Sequence, residues 1–137
     1  GAGVFTDGLA AASAAHIVAL EGDDASIAEL TAQGLRGVTG VRANLFSESD
    51  IRTLVPNVNG RLGVVMDPPR EGLKERAALT TLFASARWVV YIACDLATWE
   101  RDSGFLSDCG LSLQEARGLD MFPQTPHMEI LSVFKRV

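Results

Sequence analysis

"WVVYIACDLATWERD", residues 88–102, is the stretch on which the fold turns. Residues 88–93 are aromatic, β-branched or small, the make-up of a strand buried on both faces of a parallel sheet. The strand is expected to stop at Cys94. Asp95 then stands where a side-chain oxygen can cap free backbone amides, and residues 97–106 alternate polar and apolar side chains in helical fashion. Cys94 therefore belongs to a strand-to-helix turn at the carboxyl edge of a sheet, where open α/β folds place their chemistry.

Upstream, apolar runs of strand length alternate with amphipathic segments of helix length. "HIVALEG" (16–22) reads as a strand, "DDASIAELTAQGL" (23–35) as a helix and "VTGVRANL" (38–45) as a second strand. "SESDIRTLV" (47–55) reads as a short helix, "RLGVVMDPP" (61–69) as another buried strand, and "KERAALTTLFASA" (74–86) as a helix that leads into residue 88. This alternation predicts a parallel sheet covered on both faces. Downstream the pattern breaks. "LSLQEARGLDMF" (111–122) and "MEILSVFKRV" (128–137) are joined only by "PQTPH", too short for a crossover helix, so the last two strands should pair antiparallel. At the other end, "GAGVFTDGLAAASA" (1–14) reads as a glycine-rich turn running into a helix, with the strand that should feed it absent. The expectation is a piece of a longer protein whose first, central strand is missing.

The chain has 137 residues, 47% hydrophobic and 21% charged, enough for one core, and a single domain is the default expectation. No apolar run approaches the ~18 residues needed to span a bilayer, so no membrane association and a cytoplasmic setting are expected. Two cysteines, Cys94 and Cys109, do not make a disulfide framework. One can be a reactive thiol and the other a small buried apolar residue, and the pattern leaves open which is which. A net charge of −5 argues against a broad basic field for nucleic acid, so RNA or DNA contacts would need local basic residues or another domain.

Five places carry potential chemistry, and each has a plainer reading. Gly1 and Gly3 let a backbone approach a ligand closely before a helix N-terminus, though such a pair is more often only a tight turn. Glu21, the acid ending the next strand, can accept both hydroxyls of a ribose, and Asn44 after the following strand can reach an adenine edge; a loop acid in solvent is the alternative for Glu21. Asp67 and Arg70 are held by the two prolines of "MDPPR", which stiffen the loop. Cys94 can be a thiolate nucleophile at a helix N-terminus or a small buried side chain. Glu129 opens the last strand. If that strand is antiparallel, its start shares the edge where the parallel strands end, so Glu129 can face Cys94 and Asp67. A thiol nucleophile and a carboxylate base together suggest covalent catalysis with a later proton removal. His127 can orient Glu129 or be merely exposed, and His16 receives only the structural reading. No metal site is expected.

These motifs resemble, over essentially the whole chain, the C-terminal catalytic domain of the S-adenosylmethionine-dependent RNA uracil-5-methyltransferases. "GAGVFT" resembles their first cofactor motif, "LEG" the ribose-binding acid and "MDPPREG" their aspartate-proline motif. "YIACDLATWERD" resembles the nucleophile motif and "DMFPQTPHMEIL" the terminal motif with the catalytic base. The resemblance implies an α/β, Rossmann-like class I methyltransferase sandwich, mostly parallel with an antiparallel last strand. It further implies Cys94 as nucleophile and Glu129 as base, with Gly1, Ala2, Gly3, Phe5, Glu21, Asn44 and Asp67 on the cofactor side. S-adenosylmethionine is the implied cofactor, a transfer or ribosomal RNA the implied substrate, and an RNA-binding domain is expected upstream. Two departures stand out: Leu96 where the family usually has proline, and Asp95 where it often has asparagine. Three other readings compete: an RNA cytosine-5-methyltransferase, a non-catalytic module that keeps the cofactor fold, and a nicotinamide-dependent oxidoreductase. Ala93 replaces the proline or threonine usual before a cytosine-type cysteine, and the oxidoreductase leaves Cys94 and Glu129 unexplained.

Overall fold

A computed structural model describes residues 4–12, 16–44, 47, 49–50, 62–121, 123–124 and 128–137. The glycine turn at 1–3, the greater part of the expected helix at 47–55, and His127 lie outside the described residues. The chain divides into two compact units, 1–51 and 52–137.

In the first unit, α1 (Val4–Ala12) is followed by β1 (Ile17–Glu21), α2 (Asp24–Ala32) and β2 (Val38–Arg42). Asp23 caps α2 by accepting a hydrogen bond from the Ser26 amide at 2.8 Å, the local chemistry that starts a helix directly after a strand. β1 and β2 pair in parallel from Ile17 opposite Val38 to Glu21 opposite Arg42. Gly40 leaves room for Leu30 and Ile27 of α2, which cover the strand.

The second unit runs β3 (Leu62–Met66), α3 (Arg76–Ser85), β4 (Ala86–Ala93), α4 (Leu96–Asp108), β5 (Leu111–Leu119) and β6 (Glu129–Arg136). The strand order is β3-β4-β6-β5; β3 is parallel to β4, and β6 runs antiparallel to both its neighbours. The predicted pairing of the last two strands is therefore present, and β6 also inserts between β4 and β5. Side-chain polarity explains the insertion. β6 buries Ile130, Ser132 and Phe134 in alternation, whereas β5 buries only Leu111 and carries Glu115 and Arg117, charges suited to an edge strand.

The core of this unit lies around Val89, Tyr91, Phe83, Leu106 and Phe134, all fully buried, with Phe83 and Phe105 packed edge to face at 5.9 Å. Arg136 closes the bottom of the sheet by donating to the carbonyls of Ala86 (3.0 Å) and Cys109 (2.7 Å), so a cation meets the C-terminal end of α4. One expectation needs correction. The apolar run predicts a buried Trp88, but it is 38% exposed and burial of β4 resumes at Val89. The indole lies against Gly63, where any side chain would collide with it.

Among the described residues, no helix is long and apolar enough to cross a membrane.

Candidate active site

Cys94 is the first residue past β4, half-buried, and α4 begins two residues later. The turn is held from three sides. Asp95 Oδ1 accepts from the Thr98 amide at 2.7 Å, capping the helix as its position suggested. Trp99 Nε1 donates to Ser132 Oγ (3.1 Å), and that hydroxyl donates to the Tyr91 carbonyl (2.9 Å), tying the first turn of α4 to β6 and β4. The backbone bond from Thr98 holds the Asp95 carboxyl below the ordinary aspartate range. A carboxylate with a lowered folded value stabilises fully above its ordinary value and loses that contribution as pH falls through the lowered one. Asp95→Ala is thus expected to lower Tm at pH 7, with the gap to wild type narrowing as the pH drops below the aspartate range; thermal melts across that range check it.

Glu129 is the first residue of β6 and half-buried. The β4–β6 register ends at Ala93 opposite Ile130, and Cys94 and Glu129 are the next residues along the chain from that pair. On its other side Glu129 pairs with Leu119 of β5. Asp67 follows Met66, which pairs with Tyr91, so it leaves β3 at the same carboxyl edge. Its carboxyl is raised above the ordinary value by desolvation even though the residue as a whole keeps much of its surface exposed.

Cys109 caps the opposite end of α4, ~20 Å away along a 13-residue helix. Burial raises its thiol above the usual value, against a hydrogen bond with Thr80 that lowers it. The structure thus separates the two cysteines: Cys94 follows the carboxyl end of β4, and Cys109 lies at the far end of α4.

In the first unit, Glu21 ends β1, and its Oε1 accepts from the Gly22 amide at 2.9 Å. Asn44 stands two residues past β2, exposed, with its own amide bonded to Asp50 Oδ2 at 2.9 Å. An oriented carboxylate and a carboxamide at the ends of adjacent parallel strands are the donor and acceptor set that a ribose diol and an adenine edge require, so these residues fit a nucleoside cofactor. Phe5 lies exposed in the first turn of α1. Gly1, Ala2 and Gly3 lie outside the described residues.

Sequence reasoning missed one group. Asp102 is fully buried and accepts from the Tyr91 hydroxyl (2.8 Å), the Leu73 amide (2.9 Å) and Arg101 Nε (2.9 Å). Burial and then this bond push the Tyr91 phenol well above its usual value. The signal was present: Trp99, Asp102 and Phe105 recur at helical spacing, which puts an acid on the apolar stripe of α4.

No family model matches the chain. Several solved methyltransferase structures do. A Pyrococcus abyssi tRNA (uracil-54, C5)-methyltransferase, solved with S-adenosyl-L-homocysteine, superposes with a TM-score of 0.65 at 23% identity over 87% of this chain and 28% of its own. An rRNA methylase from Streptococcus thermophilus gives a TM-score of 0.62 at 12% identity over 100% of this chain and 82% of its own. The fold is that of the class I S-adenosylmethionine-dependent methyltransferases. In sequence, the chain is 34% identical over 136 residues to an uncharacterised RNA methyltransferase of Nitrosomonas europaea, covering 99% of this chain and 35% of that protein. It is 35% identical over 145 residues to a 23S rRNA (uracil(1939)-C(5))-methyltransferase of Hahella chejuensis, covering 99% of this chain and 31% of that protein. The chain is a relative of the RNA methyltransferases, enzymes of the uracil-5 class among them, and spans about a third of the length of these two.

Proposed function

We propose that residues 1–137 act as the catalytic domain of an RNA uracil-5-methyltransferase, with Cys94 as nucleophile and Glu129 as base. The observation that supports the reading is the pairing of Ala93 with Ile130, whose chain neighbours are Cys94 and Glu129, a thiol and a carboxylate 35 residues apart in sequence. The relatives that act on uracil support the substrate class.

S-adenosylmethionine, when bound, supplies an electrophilic methyl group. Glu21 accepts from the ribose hydroxyls and Asn44 meets the adenine, and Gly1, Ala2, Gly3 and Phe5 match the family's first cofactor motif in sequence. Asp67 offers a partly desolvated carboxylate to the positive charge of the ligand, which would restore its lost solvation. Carbon 5 of uracil is a weak nucleophile in the aromatic-like ring. Addition of the Cys94 thiolate to carbon 6 moves the 5,6 π pair onto carbon 5 and the carbonyl oxygen at position 4; that pair would form the bond to the methyl carbon as the methyl–sulfur bond breaks, its electrons staying with the departing thioether. Glu129 then takes the proton from carbon 5. The released C–H pair re-forms the 5,6 double bond and expels the Cys94 thiolate, and loss of the proton from Glu129 to solvent returns the enzyme to its starting state. A uridine inside folded RNA must be flipped out to reach such an edge. An RNA-binding domain outside this chain would provide the basic surface that a net charge of −5 does not, and the cytoplasm is the setting we assign.

The direct test is incubation of the intact protein with labelled S-adenosylmethionine and unmodified ribosomal or transfer RNA, followed by nucleoside analysis. Labelled 5-methyluridine is expected; 5-methylcytidine or no product would reject the reading. For the cofactor, Glu21→Ala is expected to weaken binding by about 1–3 kcal/mol, the range for losing a hydrogen bond to a charged group, and calorimetry reads it.

A further inference from the structure

The loop between Met66 and Arg76 has no regular secondary structure, yet Gly72 and Leu73 are buried. Its backbone is satisfied by one face of α4. Thr98 Oγ1 donates to the Arg70 carbonyl (3.0 Å), Arg101 Nη2 donates to the Glu71 carbonyl (2.7 Å), and Asp102 Oδ2 accepts from the Leu73 amide (2.9 Å). Residues 98, 101 and 102 share that face by the three- and four-residue spacing of a helix. Between the second and third contacts, Gly72 adopts φ +69°, and a Cβ there would run into Asp102, Thr98 and Arg101. The same carboxylate accepts from the Tyr91 hydroxyl of β4 and forms ion pairs with Arg101 (2.9 Å) and with Arg76 at the start of α3 (3.6 Å). One buried charge thus joins the strand that ends at Cys94, the helix that follows it, and the loop that carries Asp67 and Arg70. A fully buried carboxylate is costly to retain unless every acceptor site is used, and here a backbone amide, a phenol and two guanidinium groups use them.

We infer that Asp102 is a positioning residue that sets the Asp67–Arg70 loop against α4, so that cofactor affinity depends on it while the Cys94 turn, tied to β6 and β4 through Trp99 and Ser132, does not. This deepens the functional reading above and rests on it for the part played by Asp67. The asymmetry follows from the supports: β4 is paired on both sides, whereas the loop leans on α4. Asp102→Asn keeps the size of the side chain but puts an NH2 group where guanidinium and amide donors converge. Gly72→Ala attacks the same contact from the loop.

The test uses the intact protein with Asp102→Asn, Gly72→Ala and, as a control for general weakening, Leu106→Ala, which opens the core beneath the same helix. Three quantities are read: S-adenosylmethionine affinity by calorimetry, the rate of Cys94 alkylation by iodoacetamide, and deuterium exchange at amides 70–73. Both clamp variants are expected to lose affinity about 10- to 100-fold, the scale on which small displacements of a binding group act, and to exchange faster in the loop, with Cys94 alkylation within about twofold of wild type. Leu106→Ala is expected to lower Tm without that selective loss. Unchanged affinity together with unchanged loop exchange in Asp102→Asn overturns the inference, and so does an equal loss of affinity in Leu106→Ala. If the wild-type protein does not bind S-adenosylmethionine, the functional reading falls, while loop exchange in Asp102→Asn still decides whether the carboxylate holds the loop.

Discussion

Cys94→Ser in the intact protein is expected to lower uracil methylation by on the order of 10^4-fold or more, the scale on which loss of a covalent nucleophile acts. A serine hydroxyl keeps the shape of the turn but remains protonated near neutral pH and adds poorly to carbon 6. The adduct gives the sharper readout. With S-adenosylmethionine and RNA carrying 5-fluorouracil, fluorine occupies the position from which the base must take a proton, so elimination stops and the protein stays bonded to the RNA. Peptide mass spectrometry should find that bond on Cys94. Cys94→Ser should abolish it, and Cys109→Ser should not, because Cys109 lies at the opposite end of α4 with its thiol raised by burial. An adduct on Cys109, or methylation by Cys94→Ser at the wild-type rate, would reject the covalent route.

Glu129→Gln is expected to slow turnover by about 10^2- to 10^4-fold, the contribution of a positioned general base. Its signature differs from that of Cys94→Ser. The amide leaves thiolate addition and carbon–carbon bond formation intact but does not take the carbon 5 proton, so ordinary RNA should accumulate as a covalent complex carrying the new methyl group. Denaturing gels with labelled S-adenosylmethionine read this directly. Fast product release without a retained complex would mean that another group removes the proton.

Much of the fold could be read before any coordinates. The strand ending at Ala93, the helix beginning at Leu96 and the cap at Asp95 are local matters: a doubly buried strand is a continuous apolar run, and a cap is a bond between residues three apart. The same holds for β1, α2 and β2. Boundaries differ where local signals compete with the sheet, as at Ala86, where β4 begins two residues before Trp88.

The candidate site was legible to the extent that it consists of strand ends. Glu21, Asp67 and Cys94 each close a parallel strand, and an acid or thiol directly after an apolar run marks the carboxyl edge in any α/β sheet. Glu129 needed one inference more, since its place at that edge depends on strand direction, which the short connection before it implied.

Residue type and spacing thus dictated the strands and helices and the direction of the last strand, because hydrophobic periodicity, capping and loop length act over a few residues. Tertiary structure alone decided that β6 lies between β4 and β5, that Ala93 pairs with Ile130, and that Asp102 accepts from an amide 29 residues earlier in the chain. Those outcomes depend on which surfaces are buried together and on hydrogen bonds between distant segments. The balance of burial and polar satisfaction that selects them exists only when the whole sheet is assembled.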